Sequence, residues 1–157
     1  MPHEVVLGPI YTAIKALLAA YAPLTALLGV KTLGGAPAIY DEGGVPQSAT
    51  STVGWLPYLT IGAGTQIPEH TIGPASSAKY GWNCTFQIKA VGQIADAAGL
   101  AIVSQVAVVL YHDRDVNLAG YGSGWIDEFT VQPTLHTIQA GVTTREWPVI
   151  VRVICHD

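Results

Sequence analysis

From Tyr80 to Val91 the chain alternates between two kinds of side chain: Trp82, Cys84, Phe86, Ile88 and Ala90 on one side, Asn83, Thr85, Gln87 and Lys89 on the other. Successive side chains of an extended strand point to opposite faces, so this segment suits a sheet with one face buried and the other wet. Pro57-Tyr58-Leu59-Thr60-Ile61-Gly62 alternates as well, with proline at the first position, where a strand tolerates it. Trp125 to Gln132 sets Ile126, Glu128, Thr130 and Gln132 opposite Trp125, Asp127, Phe129 and Val131. In Glu146 to Ile154 the residues Trp147, Val149, Val151 and Val153 share a face, and Pro148 points to an edge or early position. The island Ala38-Ile39-Tyr40 adds at most a short strand before Asp41.

Helical spacing marks two other regions. Pro9 opens a helix over about 8–20, in which Ile10, Ile14, Leu17, Leu18 and Tyr21 recur on one side, and Pro23 with Leu24, Leu27 and Leu28 extends it by a turn or two. Ile94 to Tyr111 is too long for an ordinary strand and carries Asp96 near its start, where the helix dipole favours a carboxylate. Between Leu100 and Leu110 apolar residues point in nearly every direction, so this helix needs cover on two sides, from the sheet and from the first helix or a neighbouring subunit. Gly34 to Thr52 reads mostly as loop, 64–79 as a protruding irregular arm, and 113–124 as a glycine-rich polar turn. The expected fold is α+β: one domain over 1–157, with an antiparallel or mixed sheet of four to five strands and the N-terminal and long helices packed on one face.

Composition narrows the role. Charged residues are 11% of the chain and hydrophobic ones 50%, whereas a soluble domain carries roughly 25% charged residues. The longest apolar run, Ala97 to Tyr111, is broken by Ser104 and Gln105 and falls short of the ~20 residues of a membrane span. Some apolar surface is therefore expected to face other protein. The net charge of -4 and the scattered Lys and Arg argue against a groove that grips nucleic acid. Glu4 and Lys15 in and beside the first apolar segment argue against a secretory signal, so a cytoplasmic protein is expected.

No catalytic, cofactor-binding or metal-binding residues are assigned. Cys84 and Cys155 sit in apolar β-like runs without zinc spacing. His112, Asp113 and Asp115 offer donors close together, but a solvated helix end explains them. Ser123 lacks the full nucleophile-elbow pattern, because Tyr121 stands where that pattern carries glycine. A small serine hydrolase using Ser123, His112 or His136, and Asp127 is kept as an alternative.

The segment Ile10-Tyr11-Thr12-Ala13-Ile14-Lys15-Ala16-Leu17-Leu18, the island Ile39-Tyr40-Asp41 and Pro57-Tyr58-Leu59-Thr60-Ile61-Gly62 carry a resemblance. With the strand over Trp82 to Ala90, the Ala- and Val-rich helix after Gly92 and the strand over Trp125 to Gln132, the order of pieces resembles the phage tail completion, or tail terminator, family. The resemblance implies a structural virion protein, not an enzyme, assembled in the host cytoplasm. Its copies would form a homohexameric ring that caps the tail tube protein and joins the tail to the connector or stopper of the head. DNA would pass through without specific binding, and no membrane is involved. A head-tail connector, a stopper or a tube protein is the nearest alternative. Within this reading Gln66, Pro68, Glu69, His70 and Ile72 of the arm, with Tyr80 and Trp125, are the expected interface residues. Glu69, Asp113 and Asp115 are expected on loops at the lumen or axial faces.

Overall fold

The computed structural model describes residues 7–30, 35–46, 56–70, 80–118 and 122–156. Helix α1 (Leu7–Ala20) buries Ile10, Ile14 and Leu18, one residue per turn along a single stripe. The extended backbone of Tyr21 separates it from the short α2 (Ala22–Thr25), whose first turn accommodates Pro23. Helix α3 (Asp96–Val109) buries Gly99, Ile102, Val103, Val106 and Val109.

The strands are β1 (Ile39–Asp41), β2 (Tyr58–His70), β3 (Tyr80–Gly92), β4 (Asp115–Leu118), β5 (Gly122–Val131), β6 (Leu135–Gln139) and β7 (Val142–His156). They form one seven-stranded mixed sheet in the order β1-β2-β3-β7-β5-β4, with β6 paired to β7 beyond the end of β5. Among the described strands the β1–β2 pair alone is parallel. Directly opposed residues share a face, and the register Leu59↔Ala90↔Trp147, Ile61↔Ile88↔Val149 and Phe86↔Val151 collects the large apolar side chains on one side. Helix α1 lies over β2 and β4 and α3 over β3 and β7, on that same side, so one core holds both helices against the sheet.

The closest seat in this core is between α3 and β7. A Cβ at Gly99 would stand 2.1 Å from the indole of Trp147, so the helix reaches the sheet because residue 99 has no side chain. Trp147 is 2% exposed beneath it.

Several expectations from the sequence are corrected. The described residues form a sheet of seven strands instead of four to five. Residues 64–70 belong to β2 and pair with β3 as far as His70↔Tyr80, so the predicted irregular arm is, over its described part, a β-hairpin. The bulge after Gly62 explains the disguise: a Cβ at Gly64 would fall 1.1 Å from the Thr85 carbonyl oxygen, so glycine marks a crowded strand here and not a loop. Gly122 to Gly124, read as turn, are strand β5, and Asp115 to Leu118 are β4. Strand β7 is central, not an edge. Pro148 is accommodated because its backbone faces the break between β5 and β6, where its carbonyl accepts a hydrogen bond from Gln132 N–H.

Replacing Gly99 by alanine tests the seat. Alanine favours a helix interior by ~1 kcal/mol, yet overpacking of a core costs about 1–3 kcal/mol, and a methyl 2.1 Å from the Trp147 ring falls at the upper end of that range. Urea unfolding of Gly99→Ala should therefore show a net loss of stability, whereas Gly8→Ala, with open space around the new methyl, should show none.

Candidate assembly interface

The register gathers most of the predicted interface residues at one end of the sheet. Gln66, Pro68, Glu69 and His70 lie along β2 opposite Cys84, Trp82, Gly81 and Tyr80 of β3. Ile72 lies outside the described residues. Strand β1 covers only Leu59 to Ile61 of β2. Further along, Pro68 blunts the outer edge, since proline cannot donate to an added strand. The row Ile67↔Asn83↔Ile154↔Trp125↔Asp115 crosses five strands on the face opposite the helices. It places Trp125 beside Asp115 and about three strand spacings, roughly 14 Å, from Ile67. Asp113 occupies the turn after α3, with a φ of 65° and its N–H bonded to the Ile126 carbonyl. Asp115 and Glu69, expected on loops, are strand residues. Ser123 of the hydrolase alternative lies within β5, paired with Asn117 and His156, and not on a strand-to-helix elbow.

The cations of the described residues are engaged within the chain. Lys15 meets Asp41 at 3.2 Å, and Lys89 lies 3.2 Å from Glu42 and 4.0 Å from Glu146. Arg152 holds Asp127 and Glu128. Arg145 donates to the Ile94 carbonyl at 2.8 Å and lies 3.5 Å from Asp96. Arg114 donates to the Val109 carbonyl at 2.8 Å, closing the C-terminus of α3, and stands over the Tyr111 ring. Lys31 and Lys79 lie outside the described residues.

Two apolar surfaces have no cover among the described residues, and the sequence singled out only the first. Along the outside of α3, Leu100, Val108 and the following Tyr111 are about half exposed, with Ala97, Ala101 and Ser104 between them. At the other surface, β6 is exposed along its whole length, with Ile138 74% and Leu135 54% exposed. The alternation within Leu135 to Gln139 is the signal that could have revealed this strand, but five residues after a proline are easily taken for loop. The β6–β7 turn, Ala140 and Gly141, has φ of 49° and 77°, the signs of a two-residue I′ hairpin. Arg145 and His136 tie its base to Asp96 at the start of α3.

The two thiols have no accessible chemistry. Cys84 and Cys155 are buried on the core face, and burial pushes them up to about 11 and about 12, with nearby Cys84 adding to the rise at Cys155. Tyr58 is pushed up to about 12 by burial, then by Glu146 and Tyr40. No described helix is long and apolar enough to cross a membrane.

No family model matches the chain, and no curated protein matches it. Among solved structures, a chain of the "Virion of native gene transfer agent (GTA) particle" superposes with a TM-score of 0.65 at 18% identity, over 99% of this chain and 100% of that chain. The likeness shows a shared fold along the whole length.

The raised thiol and phenol values make stability fall at alkaline pH. The folded state keeps protons that the unfolded chain releases from its ordinary values of 9.0 for Cys and 10.0 for Tyr. Their contribution is thus full below about pH 9 and is lost as pH rises through the folded values. The urea midpoint should be insensitive to these groups from about pH 7 to 9 and fall above it, and Cys84→Ala with Cys155→Ala should flatten that fall. An aromatic disulfide reagent at about pH 8 should label neither thiol until the protein is unfolded.

Proposed function

We propose that this chain is a virion structural protein, a tail terminator whose copies close into a ring, in the simplest case of six. The ring caps the tail tube and offers its other face to the connector or stopper of the head. The observation that carries the reading is the whole-length likeness to a chain of a gene transfer agent virion. The uncovered apolar surfaces on α3 and β6 support it, since a subunit with lateral neighbours keeps such surfaces for them. Every described cation already holds a carboxylate or carbonyl of its own chain, which suits a channel that DNA crosses without being held. The reading contains no catalytic step and places the protein in the tail, at its head-proximal end.

Native mass measurement and negative-stain imaging of the purified chain, alone and mixed with tail tubes, should reveal closed rings of fixed copy number. Open filaments would make it a tube protein instead, and monomers in both preparations would overturn the reading. Duplex DNA at about 0.1 M salt should migrate unchanged in the presence of the rings, and salt-dependent retention would refute the unbinding channel.

A further inference from the structure

We propose that β4 of one copy pairs along its open edge with the distal part of β2, residues 66–70, of a second copy, so that the sheet runs on from subunit to subunit. The proposal deepens the ring reading and rests on it, because it names the two edges that join neighbours.

The ladder bonds show which main-chain groups face outward. Ile126 N–H donates to the Arg114 carbonyl, so the β4–β5 register turns Val116 and Leu118 toward β5, and Asp115 and Asn117 away from it. No described strand lies beyond β4. Its edge carries no proline, lysine or bulge, the usual guards of an open edge, and Asp115 is its one charge. At the other side of the sheet, Leu59 N–H donates to the Ala38 carbonyl and the Ile61 carbonyl accepts from Glu42 N–H, so the odd residues of β2 face outward up to the bulge. The one-residue shift between Gly62 and Thr65 exchanges the roles. Beyond it Gln66, Pro68 and His70 turn their main-chain groups outward, where β1, paired with Leu59 to Ile61, does not reach.

The two edges fit each other, which makes a second copy the occupant. Across the register Ile67 stands level with Asp115 and Glu69 with Asn117, so both open edges occupy the same end of the sheet over matching lengths. Every pairing from β2 through β3, β7 and β5 to β4 is antiparallel, so β2 and β4 run in the same direction. One rotation that carries a copy along the row therefore sets β2 of the next beside β4 as a parallel pair. Each copy gives one edge and receives the other, a heterologous interface of the kind that closes a ring when the rotation allows. The hydrogen-bonding groups agree. A parallel pair lets Asp115 and Asn117 N–H donate to carbonyls two residues apart on the added strand, and Pro68 lacks an N–H but keeps its carbonyl. Two β2 edges set against each other would lose the Pro68 donor from both sides. Beside the β4 edge, a groove of about 360 Å³ lies between Asn117 and Pro9, Thr12, Ala13 and Ala16 of α1. It leaves room for the helix-side side chains of an added strand, the pocket that strand addition uses for selectivity.

The test uses full-length chains, whose native thiols are buried and protonated. Ile67 and Asp115 are exposed on the same face but stand four strand spacings apart within one copy, roughly 19 Å. A bis-maleimide shorter than that joins Ile67→Cys to Asp115→Cys between copies and not within one. The double variant, alone or on tail tubes, should give cross-linked dimers and higher multiples about tenfold or more above either single variant. Asn117→Pro removes an outward N–H and leaves the β4–β5 ladder intact, so it should keep the thermal unfolding of the parent chain and abolish rings in native mass spectra. If this variant fails to fold, the cross-link of the double variant decides by itself. Rings that persist in Asn117→Pro, with no cross-link in the double variant, would overturn the proposal while leaving the ring reading intact. An Asp115-to-Asp115 product dominating in the single variant would overturn it in favour of a two-fold pairing of β4 edges. No cross-link and no assembly, with or without tail tubes, would remove both readings.

Discussion

The contact of α3 with the sheet through the bare backbone of Gly99 on the Trp147 indole sets the geometry of the rest of the molecule. Strand β7 stands between β3 and β5, so a helix fixed to its first core residue is fixed relative to the whole sheet. The indole is placed at a price, because Trp147 Nε1 is buried with no hydrogen-bond partner. An unmet buried donor costs about 1–3 kcal/mol, which the burial of a large aromatic body outweighs. From that point Val149, Val151, Val153 and Cys155 continue the same face along β7, each meeting apolar partners on β3, β5 or both.

Seating both helices on one face leaves the other face of the sheet to be managed without a second layer. Over β1 and the start of β2 it is closed by a small apolar cluster of Ala38, Tyr40, Tyr58 and Val91, and elsewhere it carries ion pairs bridging neighbouring strands and the β1 turn. Lys89 on β3 joins Glu42 and Glu146, and Arg152 on β7 joins Asp127 and Glu128 of β5. Such partly exposed pairs add little stability individually. Their larger effect is on the electrostatic character of the face, since each cation is neutralised in place. What is left exposed there includes Ile67 and Thr130, with Asn83, Gln87 and Trp125 partly covered.

How much of this was legible depended on whether local pattern and tertiary demand agreed. In β3 they agree, because every second residue from Trp82 to Ala90 is on the core face and the wet residues are small or polar. Helix α1 is legible for the same reason, with Ile10, Ile14 and Leu18 in one stripe. The distal part of β2 is not, because Gly62, Gly64 and Pro68 are residues of loops in most sequences and are required here by a bulge and a blunted edge. Strands β4 and β6 are four and five residues long and are held by pairing to β5 and β7, so their formation depends on partners distant in sequence. The interface candidates inherit this division. Gln66 to His70 were read as part of an irregular arm and are strand, and β6, with its exposed Ile138, was read as no element at all.

The apolar excess that composition reports is divided between two distant places, and the division has a physical logic. Gathered into one contiguous patch, the same residues would make a surface that pairs with itself indiscriminately. Helix α3 starts near the base of the β6–β7 hairpin, where Asp96 meets Arg145, and runs away from it to the turn that leads into β4. Val108 and Tyr111 are thus nearly a helix length, ~20 Å, from the hairpin's anchor. Neither surface alone approaches the area of a stable interface, so a single encounter between copies is weak. Contacts that each hold weakly become stable when a closed circle requires all of them to break together. A subunit built this way can stay dispersed until enough copies are brought side by side, which is the behaviour that the proposed ring would require.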